Sequence, residues 1–456
     1  MKNDFLSMKY PLVIVVLIGM ILGVLFSFTP SFLVVFLFFG AGLAFLVFSY
    51  LQPLSAFLIV IFSLAFRGIA INSIKIGDLL IGIFFLAWIY RKILHKQPII
   101  KKNPLLLAIG CFLLSAAISL MNTTHLAYSL FDLARYAVSI VLFIMVVDIA
   151  DSELMVKRTV YAFFCGGLAL AVISLIILIF LSFGQGFIIS DLSSRIISLY
   201  QGAASLGHFL FLPLFFAFGL FSDSKGNVKR VYFVLFLLLL LSLFLTISRS
   251  AMLGFAIGIF FFFVLLKWRL LSRVLGLCFL VFFLFSVIFG PLYVIDIFQE
   301  SIGFYVLRPT PETDARLFIW RSNFRAISDH PFVGVGIGNF LHEYERYKLP
   351  SAEGLARSRD QMGSHNLFLE SFAEQGIIGF LIVMYIFFKI FIFLHENLNQ
   401  HKNSSLEMVS RVFYCTFFAY FVQGFFIDFF HFRHLWVFFG LAVVLQGMKG
   451  SRRVLV

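Results

Sequence analysis

The 456-residue chain is 61% hydrophobic and only 12% charged, and it holds 65 phenylalanines; an ordinary soluble domain is about 45–50% apolar and about 25% charged. No soluble interior of this size hides so much apolar surface, but a bilayer does, because lipid-facing helices can be apolar all round. The net charge of +13 does not mark a nucleic-acid binder: the Lys and Arg residues sit between apolar runs, where the positive-inside rule puts them, and form no single basic face.

A span needs roughly 20 mostly apolar residues. Fourteen runs qualify, at 11–28, 31–49, 54–72, 76–93, 104–121, 128–149, 158–183, 203–222, 230–247, 250–267, 271–297, 365–395, 409–427 and 431–447. Counting two short early runs as one re-entrant pair gives twelve. The first run is long enough to span and no small-residue cleavage site follows it, so it reads as a span and not as a signal peptide. Cys111, Cys165, Cys278 and Cys415 all lie inside apolar runs and are expected to be single buried thiols. The predicted organisation is about eleven spans over 1–297, a polar loop over 298–364, and three spans with a tail over 365–456.

Orientation follows from the short loops. With the N-terminus inside, the inner loops hold Arg91, Lys92, Lys96, Lys101 and Lys102, then Lys157 and Arg158, then Lys225, Lys229 and Arg230, then Lys267, Arg269 and Arg273, with Lys449, Arg452 and Arg453 in the tail. The opposite short loops are poor in Lys and Arg. The long loop 298–364 then lies outside, and loops this long are usually functional. Within it, Leu317, Trp320, Phe324 and Ile327 recur at helical spacing, with Arg321 and Arg325 on another face. Asp314 is placed to cap the helix and Pro331 to end it before His330. The pattern predicts an amphipathic helix near the membrane surface. A second outer loop, 184–202, carries Asp191 and Arg195.

Charge near hydrocarbon is costly and asks for a reason. On this topology Arg67, Asp78, Asp132, Arg135, Arg249, Asp428, His431, Arg433 and His434 gather at the outer ends of spans. Singly, each can be a snorkelling side chain or a structural ion pair. As a set, several arginines at one level suit phosphate, because the guanidinium fork donates two parallel hydrogen bonds. The twelfth run opens Ser364-His365-Asn366, with Ser364 as the expected N-cap. Asn366, Glu370 and Glu374 lie four apart, which predicts a polar stripe running into the membrane with His365 at its mouth. Gly334, Gly336 and Gly338 follow no strand and open no βαβ unit, so they read as a tight turn and not as a nucleotide fingerprint. There is no Walker motif, H-E-x-x-H or D-x-D; Glu343-Tyr344-Glu345 is the nearest carboxylate pair. Neither cofactor nor metal is expected.

Three stretches carry a resemblance to the O-antigen ligase and polymerase superfamily. They are Thr246-Ile247-Ser248-Arg249-Ser250-Ala251; Arg316, Trp320, Pro331, Gly334, Gly336, Gly338 and Phe340; and His365, Asn366, Leu369, Glu370, Gly376 and Gly379. Together they cover about residues 230–385. The resemblance implies an all-α polytopic membrane protein of about 12–14 transmembrane helices, C-type glycosyltransferase-like, with one large periplasmic loop, in the bacterial inner membrane. It implies a glycosyltransferase that moves a glycan from an undecaprenyl-diphosphate-linked donor on the periplasmic face. The acceptor is the lipid A core for a ligase, or a second lipid-linked glycan for a polymerase. A lipid diphosphate is a good leaving group, so the transition state chiefly needs positive charge beside it. Arg249, Arg67, Arg135, Arg195, Arg316, Arg321, Arg325 and Arg433 are the expected diphosphate and substrate ligands, with Asn366 beside them. His365 suits the role of base toward the acceptor hydroxyl, with Glu370 orienting it or binding sugar. The rival class is a polysaccharide flippase or other transporter, which favours repeated halves and ionisable residues at the midplane; this chain shows no repeat and gathers its charges at one outer face.

Overall fold

The computed structural model of the protein describes residues 31–68, 70–71, 74–184, 202–246, 248–265, 311–348 and 363–448. Among the described residues the regular structure is helical apart from one short antiparallel ladder, β1 (Ala70–Ile71) with β2 (Ile74–Lys75). Apolar helices follow in the expected order. They are α1 (Ser31–Leu51), α2 (Pro53–Ser63), α3 (Ile76–Leu94), α4 (Leu106–Ser119), α5 (Leu126–Ile149), α6 (Glu153–Gly184), α7 (Ala203–Asp223), α8 (Gly226–Leu245) and α9 (Arg249–Leu265). After the polar loop helices α10 (Pro311–Asp329) and α11 (Phe340–Tyr347) come α12 (Leu367–Gln400), α13 (Glu407–Gln423) and α14 (Arg433–Gln446). Among the described residues, five helices are long and apolar enough to cross a membrane, and shorter apolar helices stand beside them. This is an all-α, multi-pass membrane protein. The expected spans at 11–28 and 271–297 lie outside the described residues, as do Arg195 and Cys278.

Burial sorts the helices. In α7, 83% of the most apolar stretch is buried; in α8 the figure is 22%. α7 is therefore central and α8 faces lipid, although their compositions are alike. α9 lies against α13 through Gly254 and Gly258. A Cβ at either glycine would stand 2.9 Å from a carbonyl oxygen, that of Ala419 or Cys415. Small residues four apart let two membrane helices approach backbone to backbone. The helices run antiparallel, so the contact sets Arg249, at the start of α9, beside the end of α13. Of the cysteines, Cys415 is buried and Cys165 half-buried, but Cys111 is exposed on α4, contrary to expectation. An apolar run buries a thiol only where its face meets protein, and lipid accepts the rest.

The connections fall at two ends. At one end Lys101 Nζ donates to the Asp148 carbonyl at 2.7 Å, and the Glu153 carboxylate accepts from Ser405. Here Lys92, counted among the loop charges, is instead buried and pairs with Asp148 at 2.6 Å, while Trp88 Nε1 donates to the same carboxylate at 2.9 Å. Opening such a buried pair typically costs about 3–5 kcal/mol.

At the other end sits a second, smaller core. Ile319, Ala326 and Ile327 of α10, Val335, Phe340, Tyr344 and Tyr347 of the α11 region, and Ala373 of α12 pack together. α10 stops at Asp329, before His330, as Pro331 requires. Its inward face differs from the expected one. Ile319, Ser322, Asn323, Ala326 and Ile327 turn inward, while Phe324 is 56% exposed on the side of Arg321 and Arg325. Asn323 takes the inward place because it accepts from Ser364 Oγ at 2.8 Å. α10 begins at Pro311, with Asp314 already inside it. The helix packs on the start of α12, and that contact sets its rotation.

Candidate functional site

The start of α12 differs from a continuous polar stripe. Asn366, not Ser364, is the N-cap: its side-chain oxygen accepts from the backbone N–H of Phe368 and Leu369, each at 3.0 Å. Ser364 is turned to Asn323. The helix breaks at Gly376, whose φ of 66° and ψ of −169° are non-helical, a region essentially reserved for glycine. The glycine-rich turn fills the break. Ile377 N–H donates to the Pro331 carbonyl at 2.8 Å, Val335 N–H to that of Ala373 at 2.8 Å, and Gly336 N–H to that of Glu374 at 3.0 Å. The Glu374 carboxylate accepts from the Gly338 N–H at 2.8 Å and the Phe340 N–H at 3.4 Å. So Glu374 holds the turn and does not run into the membrane. The Gly334–Gly338 run is a tight turn, as its sequence context indicates.

The turn is gripped from the other side by the α4–α5 connection. Asn122 Nδ2 donates to the Gly334 carbonyl at 2.8 Å and the Ile337 N–H donates to Ser119 Oγ at 3.0 Å. Thr124 donates to the Glu343 carboxylate, and Arg346 lies 3.6 Å from the same group. Glu343 is thus engaged within the fold. Among the described residues no cluster of His, Cys, Asp or Glu is arranged to hold a metal ion.

Beside this frame the long-separated charges converge. Arg67 follows α2, and its Nη2 donates to His431 Nε2 at 3.2 Å while its guanidinium lies 3.9 Å over the Phe432 ring. Arg433 opens α14 and pairs with Asp78, at the start of α3, at 2.8 Å. Arg135 of α5 pairs with Asp132. One turn further, Ser139 Oγ donates to the His431 carbonyl at 2.9 Å. Burial first, and then the positive charges of Arg135, Arg67, Arg433 and Lys75, push His431 well below the ordinary imidazole value. The ring is therefore neutral, and since it accepts at Nε2 its proton sits on Nδ1. Lys75 is the residue that sequence reasoning missed. Burial, then Arg67 and Arg433, lower it from 10.5 to about 8. Its signal was a lone lysine in a short loop on the side otherwise poor in Lys and Arg.

His365 stands exposed before α12 with a φ of 47°. Left-handed backbone is uncommon outside glycine, and at functional positions it is held by its surroundings. Its charge acts on Asp428, in the α13–α14 connection. Burial pushes Asp428 above the usual carboxylate range, while His365 and then Arg135 pull it down. Glu370 feels the charges of Asp428, Glu374, Asp132 and Arg135. Two sets therefore meet: a cationic group of Arg67, Lys75, Arg135 and Arg433, and a carboxylate group of Asp132, Glu370, Glu374 and Asp428 with His365 at its edge. Arg249 is half-buried at the start of α9. Arg316 is half-buried in α10, and Arg321 and Arg325 are exposed there; Arg325 makes one long bond to the Lys348 carbonyl, at 3.4 Å.

Fold and site together define a helical membrane protein whose ionisable groups converge at one end of the bundle. Residues 234–384 match the model of the family described as O-antigen ligase. The resemblance of this region to that superfamily, drawn from its three sequence stretches, therefore stands. A 112-residue stretch is 30% identical to an uncharacterized protein of Haemophilus influenzae; it covers 22% of this chain and 27% of that protein's length. Arg249, α10, the glycine turn, His365 and Glu370 lie inside the matched region, whereas Arg67, Lys75, Arg135 and Arg433 lie outside it.

Proposed function

We propose that the protein transfers a glycan from undecaprenyl diphosphate to an acceptor on the periplasmic face of the bacterial inner membrane, as an O-antigen ligase or polymerase does. The observation that carries this is the convergence of Arg67, Lys75, Arg135 and Arg433 at the bundle end that also holds His365. Four cations drawn from distant parts of the chain, two of them paired with Asp78 and Asp132, gather into what we read as a basin for an anion at the membrane surface. A lipid diphosphate is an anion anchored at that depth. In the proposed step the acceptor hydroxyl oxygen attacks the anomeric carbon. The bond from that carbon to the diphosphate oxygen breaks, and the diphosphate leaves with the electron pair. The hydroxyl proton passes to the His365 imidazole, and Asp428 stabilises the imidazolium. Arg249 and the basin arginines stabilise the developing diphosphate charge.

The test is a transfer assay on purified protein in nanodiscs, with lipid-linked glycan as donor. Arg433→Lys and Arg249→Lys keep the charge but lose the planar fork, so both should be impaired and not neutral. A protein that carries the lipid across a bilayer and releases no undecaprenyl diphosphate would be a flippase, and the proposal would fall.

A further inference from the structure

α5 carries a second feature on the face that holds Arg135. Tyr128, Asp132, Arg135 and Ser139 follow one another at helical spacing, from the open end of the helix to the buried His431 carbonyl. Tyr128, at the open end, is 55% exposed. Its ring stacks on His342 of α11, with centroids 3.9 Å apart and planes 28° apart. His125, also exposed, stands 5.1 Å from His342 and 6.2 Å from Tyr128, ring centre to ring centre. The three rings are held in place. Asn339, just before α11, bonds Thr124 at 3.3 Å, and Thr124 bonds Glu343. Burial, and then the charge of His125, lower the His342 pKa, so at neutral pH it stacks as an uncharged aromatic. Asp132 lies one turn from Tyr128, against the glycine turn: a Cβ at Gly338 would stand 2.6 Å from Asp132 Oδ2.

We propose that Tyr128, His342 and His125 form a platform for the first sugar ring attached to the lipid diphosphate. This rests on the function proposed above. A pyranose has an apolar C–H face that packs on an aromatic ring and a rim of hydroxyls that wants hydrogen-bond acceptors. A fixed exposed aromatic group with a carboxylate one turn away matches both needs. Continuity selects the occupant: the same helix face leads from the rings through Asp132 to Arg135, so a diphosphate in the basin sets its sugar toward the rings. Aromatic residues also occur as anchors in the lipid headgroup layer, and the experiment separates the two.

The probes are bare undecaprenyl diphosphate and the same lipid carrying the glycan extracted from cells that make the protein. Binding of each to protein in nanodiscs is measured by displacement. The wild type should hold the glycan-bearing lipid more tightly. Tyr128→Ala should weaken that lipid about tenfold, toward the bare-lipid level, and leave bare-lipid binding unchanged. Tyr128→Phe, which keeps the ring, should retain the preference. Equal wild-type affinity for the two lipids would overturn the platform and leave the transferase reading intact. So would an alanine variant that weakens both lipids alike, which is the signature of a headgroup anchor, or a phenylalanine variant that behaves as alanine does. Failure of the wild type to bind either lipid would overturn both readings.

Discussion

Gly376→Ala should uncouple the smaller core from the membrane bundle. An alanine there would keep φ at 66° and ψ at −169°, at a cost of about 1–3 kcal/mol for a backbone region that only glycine enters freely. Its Cβ would stand 2.2 Å from both the carbonyl carbon and the oxygen of Phe332. These are backbone atoms, so no side-chain rotation relieves the clash and the turn must retreat. Retreat breaks the bonds Ile377–Pro331, Val335–Ala373 and Gly336–Glu374, each about 1 kcal/mol net. The sum is about 4–6 kcal/mol, a large part of the ~5–15 kcal/mol by which folded domains are stable. The loss is local, so hydrogen exchange is the appropriate assay. Peptides covering 331–340 and 367–380 should lose protection by about 10³–10⁴-fold, since each ~1.4 kcal/mol is a factor of ten. A peptide over 433–446 serves as the internal control and should not change. Wild-type protection over 331–340 in the alanine variant would refute the account of the kink.

His365→Ala should slow transfer by about 10²–10⁴-fold, the usual contribution of a general base, while lipid-linked donor still binds. His365→Gln should do no better, because an amide cannot take the proton; near-normal turnover in the glutamine variant would move the base elsewhere, to Glu370 first. Lys75, charged below about pH 8, should strengthen anion binding there and lose that effect as pH rises through about 8. The limb should vanish in Lys75→Met, and a flat profile in the wild type would remove Lys75 from the basin. Stability should move the other way. The unfolded chain binds the Lys75 proton up to about 10.5 and the folded chain only to about 8, so the unfolding midpoint should rise between those values in the wild type, relative to Lys75→Met.

Much of this protein is legible in its sequence because the bilayer makes apolar length a direct signal. The limits of α5, α7, α12 and α14 fall within a few residues of the apolar runs. The end of α10 at Asp329 follows from Pro331, and the turn character of Gly334, Gly336 and Gly338 follows from their lack of a βαβ context. The grouping of Arg67, Arg135 and Arg433 at one end was also readable, because helices of fixed length put alternate connections on the same side. Tertiary structure decided what lies within that level. Whether α10 turns Phe324 inward depends on its contact with the start of α12 and on Asn323 meeting Ser364, a bond 41 residues long in sequence. Glu374 reads as a membrane stripe in sequence, and only the inserted turn, with its free N–H groups, makes it a structural acceptor. Helical periodicity reports which residues share a face; what that face meets is fixed by residues hundreds of positions away, such as Arg67 with His431, and no local pattern encodes that.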